Sequence, residues 1–261
     1  MGRLSLARLL GRLRRRDLPF CPHARDDVGR IDWGDDHRDG IHLSRTRVVM
    51  RGLPFLLAML LVVLPAHAAP LVLAWPSPDD SGDWEIEEFE GETLYRVVEM
   101  DGRRVLEADS VATASSLYLE REIDLTDTPI LEWSWRIEKP LAVDDERIKD
   151  GDDYAARVYV VAPGEGMFGL PRAINYVWAN RAEVGQSWPN PFTSKVMMVA
   201  VDTGDADAGA WRTYRRDVRA DFLRLFEMEV DELEGIAVMT DSDNCGQSAR
   251  AWYGEIAFHP E

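Results

Sequence analysis

The chain has 261 residues, of which 46% are hydrophobic and 30% are charged. This composition is ordinary for a globular protein and excludes a disordered or collagen-like chain. Lys and Arg number 30 against 47 Asp and Glu, which gives a net charge of −17. A surface this acidic argues against binding to nucleic-acid phosphates or to anionic lipid, since both need a basic patch. Two cysteines exclude a scaffold built on disulfides.

From Met50 the sequence has the three parts of a secretory signal peptide. Arg51 supplies a positive charge, residues 55–64 are an uninterrupted apolar run, and residues 66–68 read Ala-His-Ala, a small-x-small cleavage site. The apolar run is shorter than the about 20 residues that a transmembrane helix needs. We therefore expect residues 50–68 to be a signal peptide. The mature protein is expected to be periplasmic or secreted, with no stable membrane span after cleavage.

The segment before the signal peptide, residues 1–49, starts basic and leucine-rich and then loses any helix or strand periodicity. We interpret it as a mis-called N-terminal extension, with translation starting at Met50. The alternative is a cytoplasmic tail on an uncleaved anchor. Without residues 1–68 the chain keeps 18 basic and 40 acidic residues, a net charge of −22, and Cys245 as its one cysteine.

Residues 70–261 are predicted to form a single domain, because no internal repeat or linker divides them. Short apolar runs alternate with turn residues, which predicts an all-β fold, an antiparallel β-sandwich of jelly-roll type. One short helix, predicted over residues 221–230, is expected to cover an edge or end of the sandwich. The predicted strands are residues 71–75, 84–89, 93–98, 103–109, 112–123, 130–138, 154–162, 173–178, 195–202, 211–218, 235–240 and 249–258.

Residues 131–138 (LEWSWRIE) alternate most clearly between apolar and polar side chains. Trp133 and Trp135 share a face with leucine and isoleucine, so we assign them to the core rather than to a sugar-stacking platform. Arg136 takes the opposite, solvated face.

Residues 249–258 predict a second strand with one buried face. The alternation places Trp252, Ile256 and Phe258 inward, and it leaves Tyr253 and Glu255 facing outward.

The polar faces of these strands form the first group of candidate site residues. Asp153 and Arg157 fall on odd positions of a third strand, and Arg136, Tyr253 and Glu255 are the outward residues of the other two. We predict that these five residues line one ligand site on a concave sheet face. Arginines on a sheet face need partners, so either they pair with the carboxylates or both present a polar surface to a ligand.

Two aromatic segments on either side of a loop form the second group of candidates. Tyr176 and Trp178 belong to one strand, and Trp188 and Asn190 lie in a Trp-Pro-Asn-Pro segment stiffened by its prolines. Aromatic rings suit the apolar faces of sugars, and amides suit their hydroxyls. The alternative is that the aromatic rings close the end of the sandwich.

A cluster of acidic and amide residues after one strand is a candidate metal-binding site. Asp241, Asp243 and Asn244 follow a strand and resemble the first half of a Ca²⁺-binding loop, although the glycine and glutamate that complete such a loop are missing. Asp and Asn are equally common in turns. We expect no cofactor, with Ca²⁺ at these three residues as the alternative. The charge run that precedes the strand of Asp153 is interpreted as a solvated loop, with a Ca²⁺ loop or the wall of an anionic pocket as the alternative.

Signatures of catalysis are missing from the sequence. It has no G-x-S-x-G, H-E-x-x-H or Walker motif, and His259 is the one histidine after residue 68. This nearly excludes a Ser-His or Cys-His mechanism and a histidine-ligated zinc site. A carboxylate pair remains open, with Asp152, Asp153 and Glu255 as the available acids.

A series of motifs resembles a bacterial family of exported proteins, domain of unknown function 3047. The motifs span residues 133–136 (WSWR), 149–160, 175–179, 188–191, 239–244 and 253–256. The resemblance implies an exported bacterial protein with one such domain. Because the family has no established activity, it assigns no catalytic residue. Its pattern is similar in layout to the galactose-binding-like jelly rolls of carbohydrate-binding modules, which is an analogy of fold.

We therefore expect an exported, non-catalytic binding domain for a glycan, a cell-envelope saccharide or another small polar ligand. One alternative is a glycosidase or lyase that works through Asp153, Glu255 and Arg157. Another is a structural envelope protein without a small ligand.

Overall fold

Two β-sheets face each other across an apolar core, in a computed structural model that describes residues 68–76, 83–164 and 169–261. The predicted signal peptide and the segment before it lie outside these residues, apart from Ala68. The elements in chain order are β1 (Leu71–Leu73), β2 (Trp84–Glu90), β3 (Leu94–Met100), β4 (Arg103–Val111), β5 (Ala114–Asp124), β6 (Ile130–Ile137), β7 (Arg157–Ala162), β8 (Arg172–Ala179), β9 (Ser187–Asn190), β10 (Thr193–Thr203), β11 (Arg212–Asp217), α1 (Val218–Phe226), β12 (Glu232–Asp241) and β13 (Ser248–His259).

The strands divide into a six-stranded and a seven-stranded sheet. The six-stranded sheet has the order β11-β6-β13-β4-β3, with β1 paired to the last residues of β13. The seven-stranded sheet has the order β2-β5-β12-β7-β8-β10-β9. Pairing is antiparallel except between β8 and β10, because β9 turns back onto β10 and so leaves β10 parallel to β8. The predicted β-sandwich is confirmed, with one parallel pair that the sequence did not indicate.

The core between the sheets is rich in aromatic rings. Trp133 and Trp135 of β6 are 1% and 0% exposed, as their alternation predicted. Tyr176 and Trp178 of β8 meet them from the other sheet, with ring centroids 5.2 Å (Tyr176–Trp133) and 6.3 Å (Trp178–Trp135) apart. Burial of each such ring stabilises the fold by about 1.5–3 kcal/mol. Tyr176 and Trp178 are therefore core residues, and their prediction as ligand-binding residues is wrong.

The helix α1 begins three residues earlier and ends four residues earlier than predicted. The Asp217 side chain caps it by accepting a hydrogen bond from the Ala220 N–H (2.9 Å). It ends where Glu227 adopts a left-handed conformation with a φ of 56°. Val218 and Phe222 are buried in the core between the sheets. Within the described ranges, no helix has the length and apolar character that crossing a membrane requires.

Strand β9 was not predicted, because two prolines break the apolar pattern around it. Pro189 lies within the strand and is tolerated since β9 forms the edge of its sheet, where a missing N–H breaks no ladder. Its pairing brings Trp188 opposite Met198 of β10.

A bulge in β13 corrects the predicted orientation of its side chains. The register against β6 shifts between Tyr253 and Ile256, and the extra residue reverses the alternation. Tyr253 therefore points into the core, where its hydroxyl donates to the Met239 carbonyl (2.7 Å). Trp252 lies on the outer face instead, whereas Ile256 is buried as predicted.

Candidate functional site

The outer face of the seven-stranded sheet, away from the other sheet, carries a line of large and polar side chains. Each of seven residues lies directly opposite the next one in the strand register, so that the line crosses the whole sheet. We call it the polar row: Glu85, Tyr118, Ala237, Tyr159, Asn175, Met198 and Trp188. The neighbouring positions hold smaller residues such as Ala173, Val177 and Ala200, so the large side chains of the row lie between small ones.

Few hydrogen bonds join the members of the row. The Tyr118 hydroxyl donates to the Glu85 carboxylate. As donors, the Asn175 amide nitrogen and the Tyr159 hydroxyl reach sulfur atoms, of Met198 at 3.5 Å and of Met239 at 3.8 Å. Burial raises the pKa of Tyr159 to about 12, so its hydroxyl stays neutral at physiological pH.

Three polar atoms on this face are buried and have no hydrogen-bond partner in the described part of the chain. They are the Ser116 hydroxyl oxygen, the Asn175 amide oxygen and the Trp188 indole nitrogen. Ser116 lies one step from the row, opposite Glu87. Each buried unsatisfied group costs about 1–3 kcal/mol, and folded proteins contain few of them. Three further atoms of this kind, on Arg136, Arg250 and Trp252, lie on the outer face of the six-stranded sheet and are all nitrogen atoms of donor groups. The face described here differs because it combines oxygen atoms that can accept with a donor.

Arg157 lies beside the row on β7 and is 2% exposed. Its guanidinium donates to both carboxylate oxygens of Asp241, through Nε at 2.8 Å and through Nη2, and to the Asp152 carbonyl at 2.5 Å. It also lies 4.4 Å from the centre of the Tyr154 ring and donates to the Tyr159 hydroxyl at 3.2 Å. Burial opposes the charge, but Asp241 outweighs it and holds the pKa of Arg157 well above its usual value.

The buried charge of Arg157 is thus matched inside the protein. Breaking such a pair costs about 3–5 kcal/mol, because the remaining charge is left buried and alone. Arg157 therefore holds the Tyr159 hydroxyl and the end of β12 in place.

Asp153 is buried just before β7 and fixes the turn that follows β12. Its carboxylate accepts hydrogen bonds from the Asn244 side-chain amide (2.9 Å) and from the Cys245 backbone N–H (2.6 Å). Burial raises the pKa of the Asp153 carboxyl, but the bonds from Cys245 and Asn244 outweigh it and hold that pKa below its usual value. Asp153 is therefore ionised and already satisfied by the turn.

Trp188 and Asn190 of β9 lie at the far end of the polar row, as members of the second predicted group. The Asn190 amide donates to the Asp152 carboxylate (3.0 Å), and its oxygen accepts from the Phe192 backbone N–H (3.0 Å). The guanidinium of Arg147 covers the Trp188 ring at 5.4 Å. The structure thus brings these two predicted residues together with Arg157 and Asp152 on one face.

A cavity of about 260 Å³, which we call the loop cavity, adjoins this end of the row. Arg147 links the two, since it lines the cavity and also covers Trp188. The buried Glu146 carboxylate supports the cavity by accepting from the Asn180 (2.5 Å) and Ala182 (2.6 Å) backbone N–H groups. The lining is mostly planar polar groups: Asp144, Asp145, Glu146, Arg147, Arg181, Ala182, Glu183 and Gln186.

The first predicted group does not assemble. Arg136 and Glu255 lie on the outer face of the six-stranded sheet, where Arg136 covers the Trp252 ring at 5.2 Å and Glu255 is exposed. Arg157 belongs to the other sheet, and Tyr253 points into the core. Alternation shows which residues share a face of one strand, but it does not show which sheet a strand joins. Asp153 and Glu255 therefore do not face each other across a substrate.

The predicted metal ligands Asp241 and Asp243 do come together, and Asp153 joins them, with carboxylate oxygens within 4.8 Å of one another. Asp241 is bound by Arg157, and Asp153 accepts three N–H bonds, two of them from Asn244. A Ca²⁺ ion at this point would compete with the guanidinium for Asp241. The donor set of these residues is thus already used by the protein.

Sequence reasoning missed most of the polar row. The alternation of β7 and β8 placed Tyr159 and Asn175 on polar faces, which was the available signal. Ser116 and Tyr118 gave none, because β5 reads as a nearly continuous buried run. Asp152 stood in a charge run that was interpreted as a solvated loop, yet it is 2% exposed.

A known protein family matches most of the part of the chain described above. The model of the family described as "Protein of unknown function (DUF3047)" matches residues 82–257. The chain belongs to DUF3047. The match spans both sheets, the helix and every residue of the polar row, so the face described above is part of the DUF3047 domain. No curated protein matches the chain.

Several solved structures are distant likenesses of this DUF3047 chain. The lectin from Bauhinia forficata, solved with GalNAc, is 12% identical, covering 74% of this chain and 99% of that one, with a TM-score of 0.33. Endoglucanase 3 of Trichoderma harzianum, from family GH12, is 7% identical, covering 73% and 94%, with a TM-score of 0.38. The xyloglucanase domain of a Sinorhizobium fredii effector, solved with cellobiose, is 11% identical, covering 75% and 100%, with a TM-score of 0.36. These identities and TM-scores are too low for the function of any of these proteins to be transferred to this chain.

Proposed function

We propose that this DUF3047 protein binds a saccharide along the polar row, without catalysis. The observation that carries the proposal is the set of three buried, unpartnered atoms on one sheet face: a hydroxyl, an amide oxygen and an indole nitrogen. Sugar hydroxyls both donate and accept, so a saccharide can satisfy all three. The rings of Tyr118, Tyr159 and Trp188 supply aromatic surface for the apolar faces of the sugar.

Binding is favoured over catalysis by the state of the ionisable groups. Glycoside hydrolysis needs two carboxyl groups on either side of the scissile bond. The predicted acids Asp153 and Glu255 lie apart, since Asp153 precedes β7 of the seven-stranded sheet and Glu255 is on β13 of the other sheet. Asp153 is also held by Asn244 and Cys245. The Tyr159 hydroxyl, with its pKa raised to about 12 by burial, is a poor base at neutral pH.

Access to the row is proposed from the loop cavity. Trp188 is 7% exposed and is covered by Arg147, whose side chain is at the surface. A cation–π contact at an exposed site contributes about 0.5–1 kcal/mol, so a sugar ring displaces Arg147 from Trp188 at small cost. The planar polar groups of the loop cavity then bind the next sugar unit along the row.

We also propose that the protein acts outside the cytoplasm, in the periplasm or after secretion. The signal peptide predicted from the sequence of residues 50–68 supports this proposal. Cell-envelope and extracellular glycans are the saccharides available there.

A glycan array probed with the exported protein tests the proposal. We expect binding to at least one saccharide and a loss of tenfold or more in affinity for Asn175→Ala, because the amide oxygen faces the ligand. Because Asn175 is fully buried and its amide nitrogen contacts the Met198 sulfur, the melting temperature of the variant is measured beside its affinity, and loss of binding supports the proposal when the variant is folded at the assay temperature. Glu255→Gln, on the outer face of the other sheet, is the control and retains binding. Binding to no glycan, or equal affinity in Asn175→Ala, contradicts the proposal.

A further inference from the structure

A second cavity, of about 370 Å³, lies at one edge of the core, and we call it the end cavity. Its walls come from both sheets: one side is formed by β4 and by β1 with the residues that follow it, and the other side by the start of β2 and by β5. Leu119 of β5 lines the end cavity and faces the core, in the opposite direction from Tyr118 of the polar row. The end cavity is therefore separate from the polar row.

The end cavity lies where β13 changes its neighbour in the six-stranded sheet. β13 pairs with β4 as far as Tyr253 and with β1 from Ile256. Both pairings use the same edge of β13, because β6 occupies its other edge. Between them the indole N–H of Trp75 donates to the Gly254 carbonyl (3.1 Å). The Trp75 ring thus forms part of the cavity wall at the point where β1 replaces β4.

The wall of the end cavity is apolar and its aromatic rings are fixed. Trp75 and Trp84 are each 7% exposed, and their ring centroids lie 5.0 Å apart. The Trp84 indole N–H donates to the Ala74 carbonyl (2.9 Å), so the indole donors of both rings are already used. The part of a ligand that enters the cavity is therefore expected to be apolar or aromatic.

Two arginines supply positive charge to the end cavity. Arg104 and Arg121 are exposed side chains of its lining, where Asp83 is the one acidic residue. Arg104 donates to the Pro76 carbonyl (2.6 Å), and among the described residues neither guanidinium has a carboxylate partner. The lining therefore carries a net positive charge, in a chain whose net charge is −17.

The size and the lining of the end cavity together define a class of ligand. Binding sites for small molecules measure about 300–1,000 Å³ and have mostly apolar walls with a few polar groups. Guanidinium groups bind carboxylates and other oxyanions through paired N–H donors. We propose that the end cavity is a second binding site, for a small aromatic anion. Its flat apolar group lies against Trp75 and Trp84, and its negative charge lies at Arg104 and Arg121.

Two fluorescent probes that differ in charge test the proposal with the exported protein. Anilinonaphthalene sulfonate has two aromatic groups and a sulfonate, and phenylnaphthylamine has the same rings without the sulfonate. We expect the sulfonate probe to bind at least tenfold more tightly than the uncharged probe. Added salt should reduce this difference, because screening acts on the charged probe. Equal affinities for the two probes, or no binding of the sulfonate probe, overturn the proposal.

Charge-removing variants test whether the sulfonate probe binds in the end cavity. Arg104→Gln combined with Arg121→Gln should lower its affinity at least tenfold and leave that of the uncharged probe nearly unchanged. The control is Arg103→Gln combined with Lys139→Gln, which removes two exposed positive charges outside the cavity lining and should keep the affinity. Sulfonate binding that survives the first variant, or that falls equally in both, overturns the assignment to this cavity.

Partial unfolding cannot imitate the expected result. A partly unfolded chain exposes apolar surface and binds more of the sulfonate probe, so a loss of binding is not a sign of lost packing. Arg121→Gln alone changes one exposed side chain and serves as a second variant. We expect it to keep the melting temperature of the wild type and to lower the affinity for the sulfonate probe severalfold. An unchanged affinity in this folded variant overturns the role given to Arg121 and with it the proposed site.

Discussion

Two buried aspartates near the end of β12, Asp241 and Asp153, are stabilised in different ways. Asp241 neutralises Arg157, which is itself buried, so each charge makes the other tolerable. Asp153 has no such close counter-charge and relies on N–H donors from Asn244 and Cys245. The first aspartate ties two strands of one sheet together, and the second orders the turn between β12 and β13.

Asp153→Asn is expected to lower the free energy of unfolding at pH 7 by about 1–3 kcal/mol, because the amide accepts fewer of these bonds and brings its own donors. The hydrogen bonds hold the pKa of Asp153 below the about 3.9 of an unfolded chain. Its contribution is therefore present above that pH and is lost as the pH falls through the folded pKa. Urea unfolding at pH 7 and near pH 3 measures both effects.

The control for this variant is Asp150→Asn, at an exposed position of the preceding loop. It should leave the unfolding curve unchanged at both pH values. A difference between wild type and Asp153→Asn that is as large at pH 3 as at pH 7 would contradict the assigned role of the ionised carboxylate.

Cys245 is expected to be unreactive while the protein is folded. Burial, with the neighbouring Asp153 carboxylate, raises the pKa of its thiol to about 12. The thiolate is the nucleophile, so iodoacetamide at pH 8 should modify Cys245 roughly a hundredfold more slowly in the folded protein than in urea. Peptide mass spectrometry over a time course measures the two rates. Similar rates would show that the thiol is neither buried nor influenced by Asp153.

The bulge of β13 depends on a glycine that lies close to β6. A Cβ atom on Gly254 would stand 2.2 Å from the Ser134 hydroxyl oxygen, a clash with a side chain rather than with backbone. Gly254→Ala should therefore destabilise the protein by about 1–3 kcal/mol. Ser134→Ala removes the clashing atom, so the double variant should recover most of the loss in a double-mutant cycle of unfolding free energies.

Gly235 provides the matched control, because a Cβ there would stand 2.5 Å from the Leu119 carbonyl oxygen, which belongs to the backbone. Gly235→Ala should destabilise the protein, and Ser134→Ala should not rescue it. If Ser134→Ala fails to rescue Gly254→Ala as well, the bulge is not held by this contact.

Strands were predictable from the sequence where alternation or apolar runs were strong, as for β6, where Trp133 and Trp135 face the core. Three features were not predictable. The parity of β13 changes at Gly254, and a bulge leaves no mark in a pattern of alternation. Strand β9 is concealed by Pro189. The assignment of Arg136 and Arg157 to different sheets depends on long-range pairing, which a strand's own sequence does not encode.

The candidate site was only partly predictable for a related reason. The sequence analysis selected Arg157 in one group and Trp188 and Asn190 in another, and it did not show that the three belong to one sheet. Tyr118 became visible only through the register, which aligns five central strands side by side. Burial of this outer face is why residues such as Tyr118 read as core from the sequence.

The two faces of the seven-stranded sheet have different roles. The inner face joins the aromatic core and contributes to stability. The outer face keeps Ser116, Asn175 and Trp188 with polar atoms unpaired, at a cost of about 1–3 kcal/mol each that the core must offset. Residues that lower the stability of the fold and make no compensating contact are typical of functional sites. The outer face of the six-stranded sheet also holds buried nitrogen atoms without a partner, on Arg136, Arg250 and Trp252. All three of those atoms belong to donor groups, whereas the seven-stranded face offers a hydroxyl and an amide oxygen as well as a donor, and this is why the ligand is proposed there.

Processing of the whole chain provides the last prediction. The Ala-His-Ala sequence of residues 66–68 follows an apolar run of the length found in signal peptides, so we expect cleavage after Ala68 and a mature chain that begins at Ala69. Intact-mass measurement of the exported protein locates the new N-terminus. Ala68→Arg places a large charged residue at the cleavage site and should leave the longer, uncleaved form in the membrane fraction. Recovery from native cells of peptides from residues 1–49 would contradict translation from Met50, and a mature form that retains residues 50–68 would contradict export by cleavage.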